Sequence, residues 1–311
     1  MPANVESMFY VREVPWHGLG KRVEHALCSK EALKEASLDW RVIQRSLLTD
    51  TLMEVPGFKA NIRETDQQLL GIVTDRYSIV QNHEAFAFTD ELLGEGVRFE
   101  TAGSLQNGRK VWLLAKLPES YILSGDRISP YMVFSNSHDG SGSIKVAMTP
   151  IRVVCQNTLN LALRNANRMW TTNHTGDMKS KLDEAKKTLL LAEYYMDRFG
   201  SEVDRLQKIK ISDKNVMEFI ELLFPMAEEP TVTQERNVMK LRADIQTRYF
   251  EAPDLVDLDK NGYRFINAVS DFATHAKPLR ESSTFKENLF MKTIEGHPII
   301  DKAYDMVLEF V

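Results

Sequence analysis

The stretch Thr149-Pro150-Ile151-Arg152-Val153-Val154-Cys155-Gln156-Asn157-Thr158-Leu159-Asn160-Leu161-Ala162-Leu163 limits the fold more than any other, because the hydrophobic period changes across it. Before it, apolar side chains alternate, as on strands with one buried face. After it they return every three or four residues, as on helices. The chain is therefore expected to turn from strand to helix here. Ile151, Val153 and Cys155 should face one way and Arg152 and Val154 the other. Asn157 or Thr158 can cap the following helix, whose free N–H groups suit an anion. Arg152, Gln156, Asn157 and Asn160 crowd this corner, either as part of a binding site or as a polar network that fixes the strand–helix angle.

This order of elements predicts an α+β fold. A β-rich part with antiparallel hairpins is expected over residues 1–176 and a helical part over 177–311, as separate domains or as one packed unit. Leu69 to Thr74 and Tyr77 to Val80 read as strands, and Asn82 as the cap of a helix ending near Leu93. Asn107-Gly108 marks one hairpin, since both residues accept positive φ. A second hairpin joins Tyr131–Phe134 to Ile144–Met148 through the polar tip Ser135 to Gly142, expected to be a solvated loop.

Lys110, Trp112, Leu114 and Lys116 share one face of a strand, and Lys145 shares one with Ser143 and Ala147. A ring between two lysines suits single-stranded nucleic acid, which needs phosphate neutralisation and a stacking surface. The competing reading is a solvated sheet face with Trp112 covered by a helix. Arg109, Lys110, Trp112, Lys145, Arg152, Asn157, Arg164 and Arg168 make up the candidate anion or nucleic-acid strip.

In the second half, Leu182, Ala185, Leu189, Ala192, Met196, Phe199, Val203 and Leu206 recur in alternating steps of three and four. They predict one long helix over 182–206 with a seam for a partner helix, in the same chain or in a second copy. Further on, Phe265, Val269, Phe272 and Ala276 form the buried stripe of another helix. Asn267, Asp271 and His275 recur along its flank, a row that can hold a substrate or metal, or bond a neighbouring helix.

Composition excludes several classes. A net charge of −5 argues against a protein that coats nucleic acid through its overall charge, although 39 Lys and Arg leave room for a local strip. No apolar run approaches the ~20 residues of a membrane-spanning helix. Met1 to Glu6 has no basic-then-apolar leader, so a cytoplasmic location is expected. Cys28 and Cys155 show no metal or redox spacing, and Cys155 reads as a buried, inert thiol rather than a nucleophile.

Several motifs together resemble a known family. They are Pro15-Trp16-His17-Gly18-Leu19-Gly20, Ser37-Leu38-Asp39-Trp40, Asp75-Arg76-Tyr77-Ser78-Ile79-Val80-Gln81-Asn82, Glu100 to Leu105, Ser135-Asn136-Ser137-His138-Asp139-Gly140-Ser141, Arg152 to Leu159, His174-Thr175 and the Asn267 to His275 helix. The chain is similar through them to the phage/plasmid-like proteins of domain of unknown function 932. The resemblance implies a setting in phages, plasmids and integrated elements, and it carries no list of catalytic residues.

Three functions are compatible with these readings. The preferred one is a non-enzymatic accessory protein of a mobile element that binds DNA, single-stranded above all, in replication or recombination. The second is a protein–protein interaction factor acting on a host or phage partner. The third is a metal-assisted enzyme using His138, Asp139, His174, Asp271 or His275. No two histidines stand at a ligand spacing, so neither metal nor cofactor is expected unless the fold brings His174 beside His138 or His275.

Overall fold

The computed structural model describes residues 5–11, 21–24, 28–93, 98–117, 121–123, 126–152, 169–189, 191–280 and 296–310. The fold is α+β, and its contacts divide the chain into two compact units. The first comprises residues 1–119, 131–148 and 167–192, the second 120–130, 149–166 and 193–311. The helix start after Arg152 and the Pro15 to Gly20 motif lie outside the described residues.

The first unit opens with β1 (Val5–Val11), β2 (Lys21–Val23) and a short helix, α1 (Ser29–Glu35). Strands β3 (Val42–Leu48), β4 (Glu54–Arg63) and β5 (Leu69–Thr74) form a three-stranded antiparallel sheet of their own. Helix α2 (Asn82–Leu93) follows, then β6 (Arg98–Leu105) and β7 (Lys110–Lys116). The chain continues through β8 (Tyr121–Leu123), β9 (Asp126–Ser137), β10 (Ile144–Arg152), β11 (Met169–Thr172) and helix α3 (Met178–Leu189), with β8, the first residues of β9 and the last of β10 assigned to the second unit. The large sheet runs in the order β11-β10-β9-β7-β6-β1-β2, with β1 and β2 parallel and β8 pairing with β9.

Alternation explains the main core. Val111, Leu113 and Ala115 of β7 join Met132 and Phe134 of β9, Ile144 and Val146 of β10, and Trp170 of β11 in one apolar cluster. Phe86 and Phe88 of α2 and Ala32 of α1 complete it. The β6–β7 turn has positive φ at Gln106, Asn107 and Gly108, as the Asn-Gly pair predicts.

Two local expectations fail in this unit. Tyr77 to Val80 is not a strand; Tyr77 makes only an isolated bridge to Thr175. The carbonyls of Ser78 and Val80 accept from the side chains of His174 and Asn136 rather than from a neighbouring strand. Asn82 does not cap α2 either. Its amide donates to Leu38 O at 3.0 Å and its Oδ1 faces His138 at 2.9 Å, while Glu84 Oε2 accepts from the N–H of Gln81.

Apart from those strand segments, the described part of the second unit is helical: α4 (Leu191–Lys208), α5 (Asp213–Leu223), α6 (Val232–Glu251), α7 (Gly262–His275) and α8 (Pro298–Glu309). Ser212 caps α5 by accepting from Asn215 N, and Pro298 occupies the first turn of α8. The heptad pattern is divided. Leu182 and Ala185 of α3 pack on the apolar cluster of the first unit, whereas Met196, Phe199, Val203 and Leu206 of α4 are buried in the second. These seam residues are covered by their own chain.

Helix α7 carries no simple stripe: every residue from Gly262 to Ser270 is buried. Gly262 meets the backbone of Leu206 so closely that an added Cβ would stand 2.9 Å from its carbonyl oxygen. Arg264, buried and over the Tyr249 ring, donates to the carbonyls of Tyr249, Val256 and Leu258 at 2.7–3.1 Å. It closes the end of α6, where the Tyr249 carbonyl has no helical donor beyond it, and holds the turn that follows through Val256 O and Leu258 O.

Candidate functional site

The tip of the β9–β10 hairpin departs most from its expected character. Asn136, Ser137 and His138 are buried rather than solvated. Local bonds shape the tip: Asp139 Oδ1 accepts from Ser137 Oγ at 2.5 Å and from Ser141 N at 2.8 Å, and Gly140 adopts φ +77°. Long-range bonds seat it. Asn61 on β4 donates to His138 O at 2.7 Å, Tyr77 donates to Ser137 O at 2.5 Å, and the N–H of His138 reaches Arg109 O at 2.7 Å.

Opposite the tip lies the irregular segment from Tyr77 to Asn82. His174 donates from Nδ1 to Ser78 O at 3.1 Å, Asn136 from Nδ2 to Val80 O at 3.0 Å, and His138 lies 2.9 Å from Asn82 Oδ1. Three side chains from two distant parts of the chain thus meet alternate positions of one segment. Aromatic rings flank them. Tyr77 stacks on His174 with centroids 4.4 Å apart, and Trp40 meets His138 edge-on at 5.5 Å.

Burial governs the charges here. It pushes His138 down to about 3, with the nearby His174 adding to the effect and Asp139 opposing it. His174 falls to about 4, again through burial first, against the bond to Ser78. Both rings are therefore neutral at pH 7. Burial opposes ionisation of Asp139, but the hydrogen bonds from Ser137 and Ser141, with Lys110 nearby, hold its carboxyl below the usual range. Burial, then Asp139, pushes the Tyr77 phenol up.

The basic strip is shorter than its sequence list. Arg109 is exposed, and Lys110 and Lys145 are half-buried beside the same tip. Burial, and then Lys110, lower the Lys145 ammonium. Trp112 is only 5% exposed, so it presents no open face for a base; the expected stacking role is corrected on that ground. The side chain of Arg152, and all of Gln156, Asn157, Asn160, Arg164 and Arg168, lie outside the described residues.

Asn267, Asp271 and His275 belong to the second unit and serve helix contacts. Asn267 donates to Tyr263 O at 2.9 Å, and Asp271 pairs with Arg248 and, at 3.8 Å, with His275. Among the described residues, no three His, Cys, Asp or Glu side chains are grouped to hold a metal. His138, His174 and Asp139 were singled out from sequence, Tyr77 and Asn136 stood within motifs without a site role, and Asn82 was expected only to cap a helix. Asn61 was missed, and nothing in its sequence surroundings marks it.

Fold and site define an α+β protein whose first unit is built around a buried, charge-poor polar cluster. The chain belongs to the family described as domain of unknown function (DUF932), whose model matches residues 69–292. That span includes Tyr77, Asn82, His138 and His174. No curated protein and no solved structure matches the chain. Among the described residues, no helix is long and apolar enough to cross a membrane.

Proposed function

We propose that this chain is a non-enzymatic accessory protein of a phage, plasmid or integrated element, and that it binds the backbone of single-stranded DNA in replication or recombination. One observation supports the reading. Lys110 and Lys145 stand beside the β9–β10 tip, close enough for Lys110 to help lower the Lys145 ammonium, with exposed Arg109 adjacent in the chain. A phosphate placed beside two neighbouring ammonium groups is attracted by both. With Trp112 buried, binding rests on phosphate contacts and is insensitive to sequence.

The test is a salt titration of a fluorescent single-stranded oligonucleotide. Three phosphate contacts give a log–log slope of about −2, at roughly −0.7 per contact. The Lys110→Ala/Lys145→Ala double variant is expected to flatten it to about −0.7. Absence of binding at about 50 mM salt, where phosphate contacts are strongest, ends the proposal.

A protein partner is the second reading, supported by the outer face of the small sheet. Phe58, Leu69 and Ile72 are 48%, 44% and 56% exposed. Register places Ile72 opposite Ala60 and Leu69 opposite Ile62, so these side chains share one face with Phe58. Ile72→Glu is expected to abolish capture of a host or phage partner while DNA affinity stays unchanged. Capture of the same partner by the variant argues against this face.

A further inference from the structure

Among the described residues, six of the fifteen exposed large apolar side chains fall between positions 48 and 72, on the small sheet β3-β4-β5. Register sorts this sheet into two faces. Gln44, Asn61 and Gly71 form one cross-strand row, and its face is occupied: Asn61 donates to His138 O, and Gly71 lies against the Asp139 backbone. The rows of the outer face are Ile43–Ile62–Leu69 and Arg45–Ala60–Ile72, followed by the pair Phe58–Thr74. Phe58, Leu69 and Ile72 are about half exposed, and Arg45 is the only charged residue in these rows. Leu48, Leu52 and Met53, each more than half exposed, continue the apolar surface at the β3–β4 turn, the end of the sheet nearest Phe58. Leu52 holds that turn at φ +60°, a left-handed conformation that Asn, Asp or Gly fills with less strain.

We propose that this outer face is the contact of a homodimer, in which two copies of the chain stack their small sheets face to face about a two-fold axis. The inference rests on the protein-partner reading above and deepens it by naming the partner.

Area decides for a second copy. At roughly 200 Å² for a fully exposed side chain of this size, the six residues offer about 700 Å². That exceeds the ~300–600 Å² patch ordinary on a monomer and approaches the ~800 Å² that each partner buries in a stable complex. A second copy brings an equal and equally apolar area, so the pair reaches about 1,400 Å², within the range of specific interfaces. A two-fold contact sets a patch against itself, which suits a sheet face, since sheets stack at about 10 Å through their side chains. Homodimer contacts are also the apolar ones among interfaces. Arg45 is long enough to carry its guanidinium to the rim while its stem stays in the contact. With that one cation, the face is too poor in positive charge to hold nucleic acid. Helix α4 does not compete for the role, because Met196, Phe199, Val203 and Leu206 are buried within their own chain.

The experiment is light scattering behind size exclusion on the full chain over a range of micromolar loadings. Twice the mass of one chain is expected, falling toward one chain on dilution. Ile72→Glu puts an unpaired charge on both sides of the two-fold contact and should weaken the dimer at least a hundredfold; Phe58→Ser should weaken it about tenfold. Val232→Glu, at an exposed position of α6, should leave it unchanged. A chain that stays monomeric at every loading, or Ile72→Glu and Phe58→Ser variants that dimerise as the parent does, overturns the inference. A monomeric parent that captures a different protein, and loses it in Ile72→Glu, rejects the second copy while the partner reading stands. Where a variant does not fold, dilution of the parent decides: the methyl resonances of Leu69 and Ile72 must shift between concentrated and dilute chain, and unshifted methyls overturn the face.

Discussion

Gly71 and Asp139 touch backbone to backbone: a Cβ added to Gly71 would stand 2.5 Å from Asp139 Cα and 2.8 Å from its carbonyl oxygen. Strand β5 can lie this close to the hairpin tip only because position 71 has no side chain. Gly71→Ala must push the tip away and disturb the bonds that seat it. A loss of about 2 kcal/mol or more is expected in urea unfolding, in the range of overpacking. Gly57→Ala meets no atom within 4 Å and carries only the strain of φ +80°, so it should cost less.

Acid should weaken the first unit at mild pH. The folded values of His138 and His174, about 3 and about 4, lie below the unfolded value of 6.5. The unfolded chain therefore binds protons first as pH falls. The stabilisation is complete above pH ~6.5 and is lost progressively toward pH 4 and below. Each ring contributes a slope of up to about 1.4 kcal/mol per pH unit. Urea midpoints at pH 7, 6 and 5 read this directly, and His174→Asn should flatten the dependence.

Tyr77→Phe removes the donor to Ser137 O and keeps the ring that stacks on His174. The buried carbonyl is left without that bond, at a cost of about 1–3 kcal/mol. Thermal unfolding checks it. A change below about 0.5 kcal/mol would show that Ser137 O finds another donor.

Arg264→Lys should be nearly as damaging as Arg264→Met. The guanidinium reaches three carbonyls in fixed directions, and an ammonium cannot reproduce that fork. A loss of about 3 kcal/mol or more is expected, since several buried carbonyls lose their donors together. Chemical denaturation followed by helical circular dichroism measures it.

The elements that were legible from sequence are those fixed by their own neighbours. Asn107-Gly108 announced its turn and the 69–74 run its strand. The Tyr77 to Val80 run looks like a strand by composition, yet its carbonyls are claimed by His174 and Asn136, about a hundred and about sixty positions away in sequence. The same distance hid the site. The tip Ser135 to Gly142 has the residues of a solvated loop, and only the approach of Gly71, Asn61 and Tyr77 from elsewhere buries it. Trp112 failed as a stacking platform for a related reason, because alternation gives the face of a side chain but not whether that face is open.

The small sheet β3-β4-β5 shares no strand ladder with the large one among the described residues. Its links are side-chain bonds such as Asn61 to His138 O and the 2.7 Å ion pair of Arg63 with Glu6. Such links break one by one, whereas a continuous ladder resists until it opens as a whole. Amide protons of β4 and β5 should therefore exchange with solvent through a partial opening that leaves β7 and β9 protected. The first unit, compact as one body, would then melt in two cooperative steps, with the hairpin tip as the seam where the first begins.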